Sequence, residues 1–339
     1  MSLDKIGSKI LIKHIDYKDS KNFEQMITIY SNKNDNSNKD DRHDIDDKNR
    51  KPIFVFMMGS AWMGHFPLLY YITNYWNSSI MKNLAKKGYT CISIRHRGAF
   101  FKPIPLYSKY SKYLILFLCI TNVFALFNYI LLVFLWNSIC NGSADYTTIL
   151  KDVHDSLTYI DDNYETITSK YNGTGEIVLA GYSSGVHVLH NTLISPNFKQ
   201  YKNISIKKIV YISGVLNIDT NVDNLGNIRF NLYSYIVHVF LNLLFSSQDV
   251  DTYLRSPILT TDKLPDKKYY IIGCKNEFLN IPFVKSISEF VFCSRAFSEK
   301  LNLTGDGNRS KYIEFNKNHW NLLNYHGLTE SINCIIKYL

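Results

Sequence analysis

Residues 176–194 read EIVLAGYSSGVHVLHNTLI, and no other stretch constrains the fold as strongly. EIVLA is short, apolar and β-rich, the pattern of a strand buried on both faces. VHVLHNTLI continues as a helix. Between them Gly181-Tyr182-Ser183-Ser184-Gly185 leaves no room for a loop, so strand must turn straight into helix. The glycines permit the sharp turn and let the helix pack close to the strands. A serine at the apex of such a turn is lifted off the sheet edge.

The rest of the chain repeats the alternation. FEQMITIY (23–30), IFVFMM (53–58), YTCISI (89–94), KKIVYIS (207–213), KKYYIIG (267–273) and KYIEF (311–315) read as strands. Helices are expected over 68–87, stopped at Gly88, and over 145–164, with apolar Ile149, Val153, Leu157 and Ile160. Strands alternating with helices predict an α/β class: one domain over 1–339, a mostly parallel central sheet and helices on both faces. There is no internal repeat. Residues 31–51, SNKNDNSNKDDRHDIDDKNRK, are almost wholly polar and are expected to be a disordered loop.

The net charge is +9. That favours anionic partners, but the lysines are scattered and no nucleic-acid motif accompanies them, so the expectation is a basic surface and no nucleic-acid partner. Six cysteines form no CxxC and no even framework. Most sit in apolar runs, as buried free thiols do. The first residues lack an apolar signal core, so a cytosol-facing protein is expected.

Residues 113–136, YLILFLCITNVFALFNYILLVFLW, are 24 residues without a charge. As one helix they reach about 36 Å, enough for a bilayer. Yet the strands at 53–58 and 89–94 must share a sheet with 176–180, and a single crossing would separate them. The second apolar run, 229–245, cannot return the chain without stranding the serine strand on the far side. An insertion at 101–144 that dips into one leaflet or forms a lid is therefore expected, with a cap helix at 225–250. Lys102, Lys109 and Lys112 stand where anionic headgroups would meet them.

A serine hydroxyl needs a base, and the base an orienting group. In strand–serine–helix folds the partners follow the serine as acid, then histidine. His319, in EFNKNHWNLL after the last strand, is the expected base. His187 and His190, on the helix after the serine, read as structural. The acid is left open. In GCKNEFLNIP the expected position holds Asn276, with Glu277 beside it, and Asp219 in the neighbouring loop is the third candidate. The oxyanion donors are expected to be the backbone N–H groups of Ser60, Ala61 and Ser184, from MGSAW and the start of the helix.

With these motifs the chain resembles α/β-hydrolases. It is most similar to the esterase branch containing kynurenine formamidase and isoprenylcysteine methylesterase. FVFMMGSAW resembles that branch's strand ending His-Gly-Gly-Ala-Trp, VLAGYSSGVHV its nucleophile turn, YISGVLNI a segment usually ending Tyr-Asp-Leu, and NHWNLL its histidine segment. The likeness runs roughly over 23–100 and 145–335. It implies a serine hydrolase that cleaves a carboxylic ester through an acyl-enzyme on Ser183, with no cofactor or metal. Two positions depart: Met58 replaces the branch's histidine and Asn276 its aspartate. They motivate a rival reading, a weakened or inactive hydrolase fold serving as a membrane-associated binding protein; an arylformamidase-like amidase is a further alternative. The apolar insertion implies a lipophilic ester as partner, and contact with a membrane surface.

Overall fold

The computed structural model describes residues 10–18, 25–32, 51–62, 67–99, 144–171, 173–218, 232–245, 255–278, 281–304, 307–319, 322, 333–334 and 337. Among them, eight strands form one sheet: β1 (Ile10–Asp16), β2 (Met26–Asn32), β3 (Lys51–Met57), β4 (Cys91–Ile94), β5 (Gly173–Tyr182), β6 (Ser205–Ile212), β7 (Lys268–Cys274) and β8 (Ser310–Phe315). Their order across the sheet is β1-β2-β4-β3-β5-β6-β7-β8. β2 runs antiparallel to both β1 and β4, and every other pair is parallel. The helices are α1 (Pro67–Lys86), α2 (Tyr146–Asp162), α3 (Tyr164–Tyr171), α4 (Ser184–Leu193), α5 (Leu232–Leu244), α6 (Pro282–Val291) and α7 (Ser294–Leu303).

The continuous apolar runs are explained by cover on both faces. Along β3, Ile53, Val55 and Met57 enter a core shared with α2, α4 and α7. Phe54 and Phe56 point the other way, into a core closed by Ile80, Met81, Leu84 and Ala85 of α1. β6 alternates likewise, Ile209 and Tyr211 to the first core, Val210 and Ile212 to the second. Each such side chain contributes about 1.5–3 kcal/mol by leaving water. That two-sided burial makes the parallel arrangement the stable one.

The sequence expectations differ from the structure at particular places. β1 was not anticipated, because ILIKHID breaks its apolar pattern at Lys13 and His14; it is an edge strand and half exposed. The helix expected over 145–164 ends at Asp162, with Asn163 as its cap, and a separate short helix, α3, follows. Of the expected polar loop 31–51, Ser31 and Asn32 belong to β2 and Lys51 opens β3, while 33–50 lie outside the described residues. Of the segment 225–250 expected as a cap helix, Leu232–Leu244 form α5, while 225–231 and 246–250 lie outside the described residues. Cys91, Cys274 and Cys293 are buried free thiols.

The apolar run 113–136 lies outside the described residues, which resume on either side at Ala99 and Ala144. The Ala144 N–H donates to the Gly98 carbonyl at 3.0 Å, and the Ala99 N–H to the Trp62 carbonyl at 2.8 Å. Arg97 gives Asp152, on α2, three hydrogen bonds of 2.9 Å, from its backbone N–H and from two guanidinium nitrogens. Gln25, just before β2, adds a fourth at 2.9 Å. The described residues on either side of 100–143 therefore lie next to one another. Among the described residues no helix is long and apolar enough to cross a membrane.

Asp152 is the buried member of this clamp. Burial by itself raises a carboxyl pKa, but the donors from Arg97 and Gln25 and the guanidinium charge outweigh it and hold Asp152 below its ordinary value. A depressed carboxyl contributes stability above its unfolded pKa and loses it as pH falls through the folded value. Replacing Asp152 by Ala leaves the Arg97 guanidinium without this anion and is expected to cost about 3 kcal/mol at neutral pH. Urea unfolding of Asp152→Ala beside the wild type measures it.

Candidate active site

β5 lies between β3 and β6 and runs directly into the serine turn. Ser183 has φ 54° and ψ −127°, a conformation side-chain-bearing residues rarely adopt. Its surroundings over-determine it. Its N–H donates to the Ile212 carbonyl at 3.0 Å, and its carbonyl accepts from Val186 and Val215, both at 3.1 Å. Two glycines make the space. A Cβ on Gly59 would stand 2.5 Å from the Ser183 Cβ, and one on Gly185 2.6 Å from the Met57 carbonyl oxygen.

His319 arrives from the loop after β8. Its Nε2 is 3.1 Å from Ser183 Oγ and its Nδ1 is 3.1 Å from Glu277 Oε2. The neutral ring that fits both contacts accepts the serine proton at Nε2 and donates its Nδ1–H to the carboxylate. Glu277 is itself fixed: Oε1 accepts from the Cys274 N–H at 3.1 Å, and its carbonyl accepts from the His319 N–H at 2.5 Å. Of the three candidate acids, Glu277 meets the histidine. Asn276 is exposed, and Asp219 lies outside the described residues.

His319 is 2% exposed. The rings of Tyr182, Phe292 and Phe278 pack on it at 4.8, 4.9 and 5.0 Å between centroids. The Tyr182 hydroxyl donates to the His319 carbonyl at 2.7 Å. Sequence reasoning missed these supports. Tyr182 is the variable residue of the turn, and only the position of the histidine loop shows what its hydroxyl does.

The loop expected to supply the oxyanion donors holds a second difference. Ala61 and Trp62 have φ values of 50° and 61°. This curl brings the loop over α4, where the N–H groups of Ser60 and Trp62 donate to Ser184 Oγ at 3.0 and 3.2 Å. The Ser60 N–H expected to face a substrate is therefore turned to a hydroxyl. The amides of Ala61 and Ser184 make no hydrogen bond among the described residues and remain as donors. Ser184 is the first residue of α4, where helix amides point outward. No group of three or more His, Cys, Asp or Glu side chains among the described residues is placed to hold a metal ion.

No family model matches the chain, and no curated protein matches it. Solved structures do. Esterase B from Lactobacillus rhamnosis, inhibited by a tributyrin phosphonate, is 12% identical over 97% of this chain and 84% of its own, with a TM-score of 0.59. A thermophilic esterase of the planctomycete Thermogutta terrifontis, with butyrate bound, is 14% identical over 98% and 94%, at 0.53. A truncated carbohydrate esterase from gut microbiota is 15% identical over 97% and 96%, at 0.53. At such identities the likeness is one of fold. The mostly parallel sheet and these neighbours fit the α/β-hydrolase fold.

His187 and His190 are wholly buried on α4, and burial pushes both pKa values down to about 3. In the unfolded chain each takes up a proton as pH falls through about 6.5. Between those values the unfolded state binds more protons, so stability falls as the solution is acidified from pH 6.5. The expected slope is about 1.4 kcal/mol per pH unit for each ring. Urea midpoints between pH 7 and 5 measure it, and His190→Gln is expected to flatten the dependence.

Proposed function

We propose that the protein is a serine hydrolase of carboxylic esters. The observation that carries this is the continuous chain Ser183 Oγ–His319–Glu277, two contacts of 3.1 Å, at a strained strand-to-helix turn. The esterases among its structural neighbours support the same chemistry. Ser183 Oγ attacks the ester carbonyl while His319 Nε2 takes its proton. Glu277 stabilises the imidazolium so formed. The tetrahedral oxygen anion meets the N–H groups of Ala61 and Ser184. Collapse breaks the carbon–oxygen bond, and His319 returns the proton to the departing alcohol. A water molecule, deprotonated by His319, then releases the acid and restores Ser183.

The binding-protein reading took its motives from Met58 and Asn276. Glu277 answers the second, since a carboxylate meets the histidine from the adjacent position. An active-site-directed fluorophosphonate separates the readings. Wild type is expected to be labelled and Ser183→Ala not. Glu277→Gln is expected to lower kcat about 10⁴-fold, as loss of the charged orienting group does in a serine protease. Asn276→Ala is expected to stay within about twofold of wild type, because a solvated side chain off the reacting groups contributes little. A folded wild type that no probe labels would sink the enzyme reading.

The ester is lipophilic and taken from a membrane surface on this proposal. What favours a lipophilic ester over the formamidase alternative is the apolar run 113–136, since the catalytic motifs do not distinguish the two. Tyr235, Ile236 and Val239 on α5 and Ile281 and Phe283 around the start of α6 are all at least 36% exposed. The two helices pack together, and Ile281 and Phe283 closely follow Glu277 in the chain. Such an apolar surface on a chain of net charge +9 suits an anionic bilayer whose access side is the active-site side. The double substitution Ile236→Asp/Val239→Asp is expected to cut co-sedimentation with phosphatidylserine-containing vesicles about tenfold, while hydrolysis of a short soluble ester is kept. Unchanged sedimentation would remove α5 from the membrane contact.

A further inference from the structure

The loop that carries the Ala61 amide holds two consecutive left-handed residues, Ala61 and Trp62, neither of them glycine. Each such conformation is unfavourable and lasts only where neighbours enforce it. The neighbours belong to α4. Ser184 Oγ accepts from the N–H groups of both Ser60 and Trp62, bridging the loop on either side of Ala61. The Trp62 indole N–H donates to His187 Nδ1 at 3.2 Å, and the two rings meet edge to face at 5.4 Å.

His187 is held as a fixed acceptor. Its Nε2 lies 3.1 Å from the Arg255 carbonyl, so Nε2 carries the hydrogen and Nδ1 the lone pair. The Tyr146 hydroxyl donates to the same Nδ1 at 2.9 Å and accepts from Asn191 Nδ2 at 2.9 Å. A protonated ring would turn an N–H toward two donors, and burial keeps the ring neutral. The Arg255 and Tyr146 contacts thus fix the acceptor that the Trp62 indole N–H meets.

We infer that the Ser184 hydroxyl and the His187 imidazole are positioning residues for the oxyanion loop. They act on the reacting carbonyl only through the backbone they hold. Ser184 therefore serves the proposed reaction twice, by its N–H as a donor and by its Oγ as the clamp on the Ala61 donor. Met58 stands where the resembling branch has a histidine to stiffen this loop, and the clamp supplies the stiffness from the opposite side. The inference rests on the hydrolase reading.

The test uses the full chain with a chromogenic short-chain ester and the fluorophosphonate, comparing wild type, Ser183→Ala, Ser184→Ala and Trp62→Phe. Ser184→Ala keeps the N–H donor and deletes the clamp. Its kcat is expected to fall about 10- to 100-fold with KM changed less than about twofold, since a displaced oxyanion donor acts on the transition state. Trp62→Phe keeps the ring and loses the indole N–H, and a kcat loss of about 3- to 10-fold with KM unmoved is expected. Both variants are to be matched by melting temperature, and Trp62→Phe decides alone if Ser184→Ala does not fold. Full wild-type kcat in the folded variants, or a loss confined to KM, overturns the inference while leaving the hydrolase reading intact. A wild type that neither hydrolyses the ester nor takes the probe overturns both.

Discussion

Everything at this site depends on one unfavourable backbone conformation. Ser183 sits at φ 54°, and a serine does not stay there unaided. The sheet supplies the restraint. Ile212, at the end of β6, takes the serine's N–H, and Val186 and Val215 hold its carbonyl. Gly59 and Gly185 keep the approach clear where a Cβ would collide with Ser183 or with the Met57 carbonyl. The strain is thus distributed over β3, β5, β6 and α4. The central place of β5 is what allows four elements to share it.

From that fixed point the other groups need only short reaches. Glu277 closely follows β7 and His319 closely follows β8, the two strands beyond β6. The histidine's N–H and the glutamate's carbonyl are bonded, so the two loops are tied to each other. Three aromatic rings exclude water around an imidazole whose proposed task is to become charged. A carboxylate on one nitrogen makes that charge tolerable. The one-residue shift from Asn276 to Glu277 is absorbed because Cys274 N–H grips Oε1 and turns Oε2 toward the ring.

The sequence disclosed what is periodic or local. The buried strands, GYSSG and the histidine after β8 follow from apolar runs and turn chemistry that need no tertiary knowledge. What stayed hidden depends on contacts between distant segments. β1 is an edge strand, so its Lys13 and His14 read as loop. Three positions competed for the acid because spacing cannot say which side chain a loop turns inward. The direction of the Ser60 N–H was misjudged because the curl at Ala61 and Trp62 comes from α4, more than 100 residues downstream. His187 reads as structural from its place on the helix, and no spacing shows that its partner is Trp62.

The apolar run 113–136 acquires a sharper meaning from its described flanks. Gly98 and Ala144 share a hydrogen bond, and Ala99 bonds the carbonyl of Trp62 in the loop that carries the Ala61 amide. A chain that leaves and returns at one point crosses a membrane an even number of times or not at all. Two full crossings need about 40 apolar residues, and the run has 24. Divided into two passes it covers about 18 Å in each direction, little more than half of the roughly 30 Å hydrocarbon core. Under the membrane-contact proposal the run therefore enters one leaflet from the side on which the sheet lies. On either side of it, Ala99 bonds the Trp62 carbonyl and Ala144 bonds Gly98, next to the Ala61 donor of the proposed reaction. An apolar element tied to that loop would carry a lipid ester toward Ser183 without first passing it through water. On this account the hydrophobic stretch belongs to substrate access as much as to location.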